Sequence, residues 1–227
     1  MKIIYHGHSC VELQLQNGLK LIFDPFITNN PQTDITVDYP VDFIFVSHGH
    51  THHTGDMITL SKKNKAPIIA VPELTYYAEK EGAITYPINL GGSANLPFGF
   101  VKMMHAQHSS SINVDGKLKY AGDAAGFLIK ADNKTIFFAG DTSNFGDMAI
   151  FGKAFDIDVA FLPIGGRFTM GPAEAAICAT RLNSKYVVPI HYNTFPEIQQ
   201  NPDDLVTKLP QGVVKILTPG QNGTFDI

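Results

Sequence analysis

Four histidines, His48, His50, His52 and His53, fall within the stretch VSHGHTHHTGD at residues 46–56. The chain has 9 histidines in 227 residues, so composition alone does not account for the cluster. Imidazole is the side chain most often used to bind transition metals, and several neutral imidazoles together suit a divalent cation such as zinc. The other five histidines occupy three places: His6 and His8, His105 and His108, and His191. Each place lies at or just beyond the end of an expected strand, and none is scattered along an expected surface. Taken singly, each histidine fits an ordinary core or surface role. Taken together, residues 48–53 read as a metal site.

The elements around them would have to aim these groups. The apolar run VDFIFVS before the cluster reads as a buried strand. Side chains alternate along a strand, so a strand ending in His-x-His sends His48 and His50 the same way. Upstream, KIIYH, CVELQLQ and LKLIFD alternate like paired strands, the last two joined by an Asn17-Gly18 turn. A loop rich in Pro and Asn follows from Pro25 to Pro40. Helical patterns appear at 54–63 and 73–81, the second opening with Pro72 and closing at Gly82. Strands are expected at 67–71, 84–88, 98–105, 124–130 and 134–139, the last two joined across Asn133, with a polar loop at 109–119. GPAEAAICATRLN places Pro172 at a helix start, followed by Ala-rich helix-forming sequence.

The two halves of the chain echo each other. LIFDP with Asp24 is followed by VDFIFVSHGH with Asp42, and IFFAGD with Asp141 by IDVAFLPIGG with Asp158 at a similar distance. Two mixed β/α halves packed sheet on sheet, helices outside, would set equivalent loops along one shared edge. We expect a single domain over residues 1–227. Arg167 then lies in the loop equivalent to the histidine loop, where a guanidinium suits a carboxylate or phosphate.

Composition narrows the partners. A hydrophobic content of 44% and a charged content of 17% belong to an ordinary globular protein. A net charge of −4 and a pI near 6.1 argue against a nucleic-acid surface, which needs clustered Lys and Arg. No run approaches the roughly 18 apolar residues of a membrane span. MKIIYHGHSC turns polar too soon for a signal-peptide core. Cys10 and Cys178 sit in unrelated contexts, as expected of reduced thiols in a cytoplasmic protein. The expected partner is a small-molecule substrate, not nucleic acid or membrane, and a homo-oligomer is compatible.

SHGHTHHTGD resembles the HxHxDH signature of the metallo-β-lactamase superfamily of metal-dependent hydrolases. FAGDT with Asp141 resembles that superfamily's bridging-aspartate motif, and AQHSS with His108 and PIHYNT with His191 match its two later histidines in order. GHSC, FDP at 23–25 and PIGGRFTMGPAEAA resemble a narrower branch, small bacterial hydrolases related to L-ascorbate-6-phosphate lactonase. The resemblance spans essentially the whole chain and implies a four-layer αββα sandwich. It also implies one cation on His48, His50 and His108, a second on His53 and His191, and Asp141 bridging both. Two cations sharing a water lower its pKa towards neutrality, giving a hydroxide able to attack a carbonyl or phosphorus centre. The implied cofactor is Zn2+, one or two ions per chain, with Ni, Fe or Mn as alternatives. His8, in the GHS motif, is implied to face the substrate.

At one position the chain departs from that pattern: His52 stands where the family has Asp. Imidazole can bind a metal, so His52 is a candidate ligand, but it is larger, neutral, and lacks a second oxygen to accept the water's proton. The departure makes the site one unit more positive, and it bears on the second cation and on the rate. Catalytic candidates are therefore Asp141, His52 and His8. Metal-bound histidines usually donate their other N–H to an acceptor behind them, and Asp24 and Asp56 are placed to provide it, with strand-end or helix capping the alternative. The 16 Phe and 8 Tyr read as core. The leading function is a hydrolase of a small, anionic ester, lactone or phosphoester. The alternatives are a metal- or ligand-binding protein with little turnover and, disfavoured by the acidic pI, a nuclease.

Overall fold

The computed structural model describes residues 1–220 and 223–227. In the N-terminal half the short apolar runs pair into one sheet. β1 (Lys2–Tyr5), β2 (Val11–Gln14) and β3 (Lys20–Phe23) form an antiparallel meander, and β4 (Phe43–Phe45), β5 (Ile68–Ala70) and β6 (Thr85–Pro87) add in parallel. Parallel addition needs crossovers, which α1 (Thr51–Thr54), α2 (Met57–Asn64) and α3 (Pro72–Lys80) help provide. The second sheet takes β7 (Ser93–Leu96), β8 (Gly99–His105), β11 (Ala125–Ala131), β12 (Lys134–Phe138), β13 (Val159–Pro163) and β14 (Tyr186–Ile190) in that order. Between β8 and β11 a separate hairpin forms from β9 (Ser111–Val114) and β10 (Lys117–Tyr120). α4 (Met148–Ala154), α5 (Pro172–Leu182) and α6 (Asp203–Val206) belong to this half, and β15 (Thr224–Asp226) returns to pair with β1.

The sheets face each other across a phenylalanine core. Phe23 stacks on Phe45 at 4.6 Å and on Phe138 at 4.9 Å, while Phe45 meets Phe127 edge-on at 5.2 Å. All four are fully buried, and burial of each side chain contributes roughly 1.5–3 kcal/mol. A second cluster packs Met148, Ala175, Cys178 and Leu182 from α4 and α5 onto Leu128, Phe137, Ala160 and Leu162 of the second sheet. On the first sheet, α2 and α3 bury Met57, Leu60, Leu74 and Ala78. The layers are therefore helix, sheet, sheet, helix, the αββα sandwich of the metallo-β-lactamase type.

The internal echo has a structural counterpart. β1 to β5 in one sheet and β8, β11, β12, β13 and β14 in the other follow the same order, two antiparallel pairings and then two parallel ones. The paired aspartates do the same local work. Lys20 N–H donates to Asp42 Oδ2 at 2.8 Å and Asp42 N–H to Lys20 O at 2.9 Å. Thr135 N–H donates to Asp158 Oδ2 at 2.8 Å and Asp158 N–H to Thr135 O at 2.8 Å. Each aspartate sets the register at which the next strand joins. The loops after β4 and β13 consequently open on the same edge.

Two local expectations change. The polar loop expected at 109–119 contains the β9–β10 hairpin, turning at Asp115 (φ 52°) and Gly116 (φ 75°). None of its strand residues is buried, so no apolar alternation marks it, and only the Asp-Gly pair signals the turn. The helix expected at 54–63 is split between α1 and α2 at Gly55, φ 38°, where a Cβ would come 2.4 Å from Pro25 O. Among the described residues no helix is long and apolar enough to cross a membrane.

Candidate metal centre

The C-terminal end of β4 delivers the first donor group. Ser47 follows the strand, and His48 and His50 project beyond it. Ser47 Oγ–H donates to Asp24 Oδ2 at 2.7 Å, so its oxygen is free to accept from His48 Nδ1–H at 2.9 Å. That tautomer leaves His48 Nε2 with a lone pair, 2.9 Å from His50 Nδ1. His108 enters from the loop after β8, its ring centroid 5.1 Å from His48 and 5.2 Å from His50. One donor atom from each of the three lies within 4.8 Å of the others.

The short helix α1 builds the second group. Its turn directs His53 inward, fully buried, and leaves His52 exposed on the lip. His53 Nδ1–H donates to Asp24 Oδ2 at 2.7 Å, which turns Nε2 towards Asp141 Oδ2, 3.2 Å away. His191, at φ 55° after β14, brings its Nε2 to 3.1 Å from the same oxygen. His108 Nε2 stands at 3.6 Å and His48 Nε2 at 3.9 Å from it. A single carboxylate oxygen thus sits among four imidazoles drawn from both groups. Asp141 follows β12 at the shared edge, where the pseudo-repeat places it opposite Asp24. His8, from the loop after β1, joins His53 and His191 in a triad with donor atoms within 4.8 Å.

The electrostatics follow from this crowding. Burial raises the Asp141 carboxyl, but the His191 and His53 imidazoles outweigh it and hold the group well below the usual carboxylate range. Burial lowers His53, yet Asp141 and Asp24 on either side raise it to about 10. Burial, with neighbouring imidazoles adding to it, pushes His8 and His48 well below the ordinary value. The same combination, with His108 the largest of the imidazole contributions, puts His50 at about 4. The lowered values of His8, His48 and His50 favour the neutral, lone-pair form that a metal ligand needs, whereas His53 holds its proton between two carboxylates and would release it to a cation.

The sequence-derived candidates divide accordingly. His48, His50 and His108 come together, as do His53, His191 and Asp141. Asp24 lies behind the ligands, with Oδ1 accepting from Ser47 N–H at 2.7 Å and Oδ2 from Ser47 Oγ–H and His53 Nδ1–H, so both its oxygens are engaged. Asp56 differs from expectation. It accepts from Ile27 N–H, Thr28 N–H and Thr28 Oγ–H at 3.0, 2.7 and 2.7 Å, fixing the loop after β3, and among the described residues it hydrogen-bonds no histidine. His52, expected as a ligand, lies outside every donor group among the described residues, its ring 4.7 Å from Phe195 and 5.0 Å from Phe26. Consecutive helical residues point about 100° apart, and here the α1 turn brings His53 among the donor atoms while the His52 ring stays on the cavity wall. His8, expected at the substrate, lines the cavity but also stands in a donor triad. Arg167 lines the same cavity as His8, His52 and His191.

Sequence reasoning missed the supports Ser47 and Thr194, which carry no signal beyond adjacency to histidines. It also placed every aromatic in the core. Phe168 is 54% exposed and lines the metal-side cavity, and Phe26 and Phe195 flank His52. The adjacency of Phe168 to Arg167 was the available hint.

The donors themselves test whether a metal fits. His8 Nε2 and Asp141 Oδ1 are buried with no hydrogen-bond partner, which is costly unless something else binds them. Two nitrogen-rich groups sharing a carboxylate suit a borderline-soft divalent cation. The residues fit.

Comparison with known proteins agrees. The Beta-lactamase superfamily domain matches residues 20–192. A UPF0173 metal-dependent hydrolase of Enterococcus faecalis is 47% identical over 222 residues, 97% of this chain and 98% of that protein. Its counterpart in Geobacillus thermodenitrificans is 47% identical over 224 residues, 98% of this chain and 99% of that protein. Among solved structures, Igni18, a metallo hydrolase from the archaeon Ignicoccus hospitalis, superposes with a TM-score of 0.88 at 30% identity, covering 100% of this chain and 98% of that one. The family model, the full-length relatives and the fold point the same way: the chain belongs to the β-lactamase superfamily, among its metal-dependent hydrolases.

Proposed function

We propose that this hydrolase acts on a small, anionic ester, lactone or phosphoester, with Zn2+ the preferred cation and both donor groups used. The observation that carries the reading is Arg167. Among the described residues it is the one Lys or Arg lining a cavity of about 460 Å3 whose other walls include His8, His52, His191 and the acidic Glu197. A second cavity of about 320 Å3, lined by His50, His53, His108 and Asp141, shares His52, Phe168 and His191 with the first. A substrate spanning both would put its scissile group at the donors and its anionic group at the guanidinium.

A divalent cation held by His48, His50 and His108, or by His53, His191 and Asp141, supplies Lewis acidity and brings the pKa of water towards neutrality. The chain's own residues do the rest. Asp141 holds a carboxylate between the two groups and can orient a nucleophile through Oδ1. Arg167 binds the anion and positions it. Phe168 and Phe195 wall the cleft and exclude water. His52 is left free of the donor groups, with its ring on the cavity wall, where it can contact the leaving group. The net charge of −4 supports a small substrate over nucleic acid. Two free, buried cysteines support a cytoplasmic location.

The test is a panel of esters, lactones and phosphoesters, each with and without a second anionic group, assayed on Zn2+-loaded protein. Arg167→Ala should raise KM for anionic substrates at least about tenfold and leave neutral analogues unchanged. Equal effects on both would make Arg167 structural. No hydrolysis across the panel would overturn the substrate reading.

A further inference from the structure

We infer that His8 is the third nitrogen ligand of the second cation, filling the coordination place that the carboxylate at position 52 would otherwise hold. This rests on the metal-dependent reading of the site.

Three observations converge on it. First, His52 stands outside the donor groups, its ring packed against Phe195 and Phe26 on the cavity wall, so His53, His191 and Asp141 are short of a ligand. Secondly, His8 Nε2 is buried, has no hydrogen-bond partner, and belongs to the triad with His53 and His191. Its ring centroid is 4.3 Å from that of His191 and 5.5 Å from that of His53. Thirdly, the other ring nitrogen is already committed. Thr194 Oγ1 gives its proton to Gln32 Oε1 at 3.2 Å, and so accepts from His8 Nδ1–H at 2.9 Å. That arrangement places a lone pair on Nε2 and aims it into the triad, as an outer acceptor does behind a metal-bound histidine.

The backbone is held for the same purpose. His8 has φ 57°, a left-handed conformation uncommon for a side chain other than glycine. Tyr5 Oη–H and His191 N–H donate to its carbonyl at 2.9 and 2.7 Å, and its own N–H donates to Gln32 Oε1 at 3.1 Å. Residues held this firmly in a rare conformation cluster at functional sites. His8 lines the cavity yet is only 1% exposed, which leaves little of its ring open to a substrate. The outcome is a second position with three imidazoles and one shared carboxylate. Such a set favours Zn, Co, Ni or Fe over Mn or Mg.

The test counts metal and does not depend on a substrate. The unaltered chain, His8→Ala, His8→Gln, Thr194→Val and His52→Ala are loaded with Zn2+ and titrated against a competing chelator, with circular dichroism confirming the fold. The unaltered chain and His52→Ala should bind two ions. Both His8 variants should lose the second by more than the roughly 10–100-fold that Thr194→Val, an outer-partner change, should cost. Crystals of the unaltered chain soaked in Zn2+ should show anomalous density about 2.0–2.1 Å from His8 Nε2, whether or not the variants fold. Two tightly bound ions in the His8 variants, loss of the second ion in His52→Ala, or a single ion in the unaltered chain would each overturn the assignment. No bound ion at all in the unaltered chain would remove the metal-dependent reading with it.

Discussion

Replacing Asp24 with asparagine changes almost no volume but reverses a hydrogen-bond system that serves both donor groups. The carboxylate accepts three bonds at 2.7 Å, from Ser47 N–H, Ser47 Oγ–H and His53 Nδ1–H. The asparagine carbonyl can still accept from Ser47 N–H. Its amide nitrogen would then stand where Oδ2 accepted two donors. His53 must give up its Nδ1 proton and keep the one on Nε2, facing Asp141, and Ser47 Oγ must turn to donate to His48 Nδ1. His48 would lose the lone pair it offers, and His53 would hold a proton where a cation has to bind. Bonds to a charged group contribute about 1.5–3 kcal/mol each. With two inverted and partly re-formed, we expect a loss of about 3 kcal/mol in the metal-free protein. For a chain of this size that is a fall in Tm of roughly 6–12 °C. Metal affinity should fall roughly 10–100-fold at each group, the usual cost of losing an outer partner. Urea unfolding without metal and Zn2+ titration against a chelator give the two numbers. Ser47→Ala, which touches only His48 among the ligands, should weaken the first group alone. An Asp24→Asn protein that melts unchanged and binds both ions within about threefold of the original would refute the claim that this carboxylate sets the tautomers.

Two further outcomes follow from the same geometry. A Cβ at Gly165 would stand 2.6 Å from His191 O and 2.9 Å from its Nδ1, so Gly165→Ala should displace His191. We expect about 1–3 kcal/mol of destabilisation by thermal melt and weaker second-ion binding by titration. Chelator treatment should lower Tm by the binding linkage, about 2.7 kcal/mol of stability at a free-metal level 100-fold above Kd. A Tm insensitive to chelator and to added Zn2+ would mean that the donors hold no ion.

Much of this protein was legible locally. The His-x-His at the end of VDFIFVS, the Asn17-Gly18 hairpin, Pro172 at the start of α5 and the repeated aspartates at strand ends are set by neighbours a few positions away. Strand alternation, turn conformation and helix starts act over that range, so residue order reveals them. The β9–β10 hairpin escaped because an exposed hairpin needs no apolar stripe. The identity of the ligands was a different kind of fact. Whether His52 or His53 points inward depends on the helical turn of α1 and on Asp24 waiting beside it, 29 positions upstream of His53. That His8 rather than His52 faces His53 and His191 depends on Thr194, 186 positions from His8 and on the other sheet's edge. Sequence determined which side chains were available and which strand ends carried them. Only the packing of two sheets, which brings distant loops to one edge and leaves buried polar atoms to find partners there, decided which of those side chains meet.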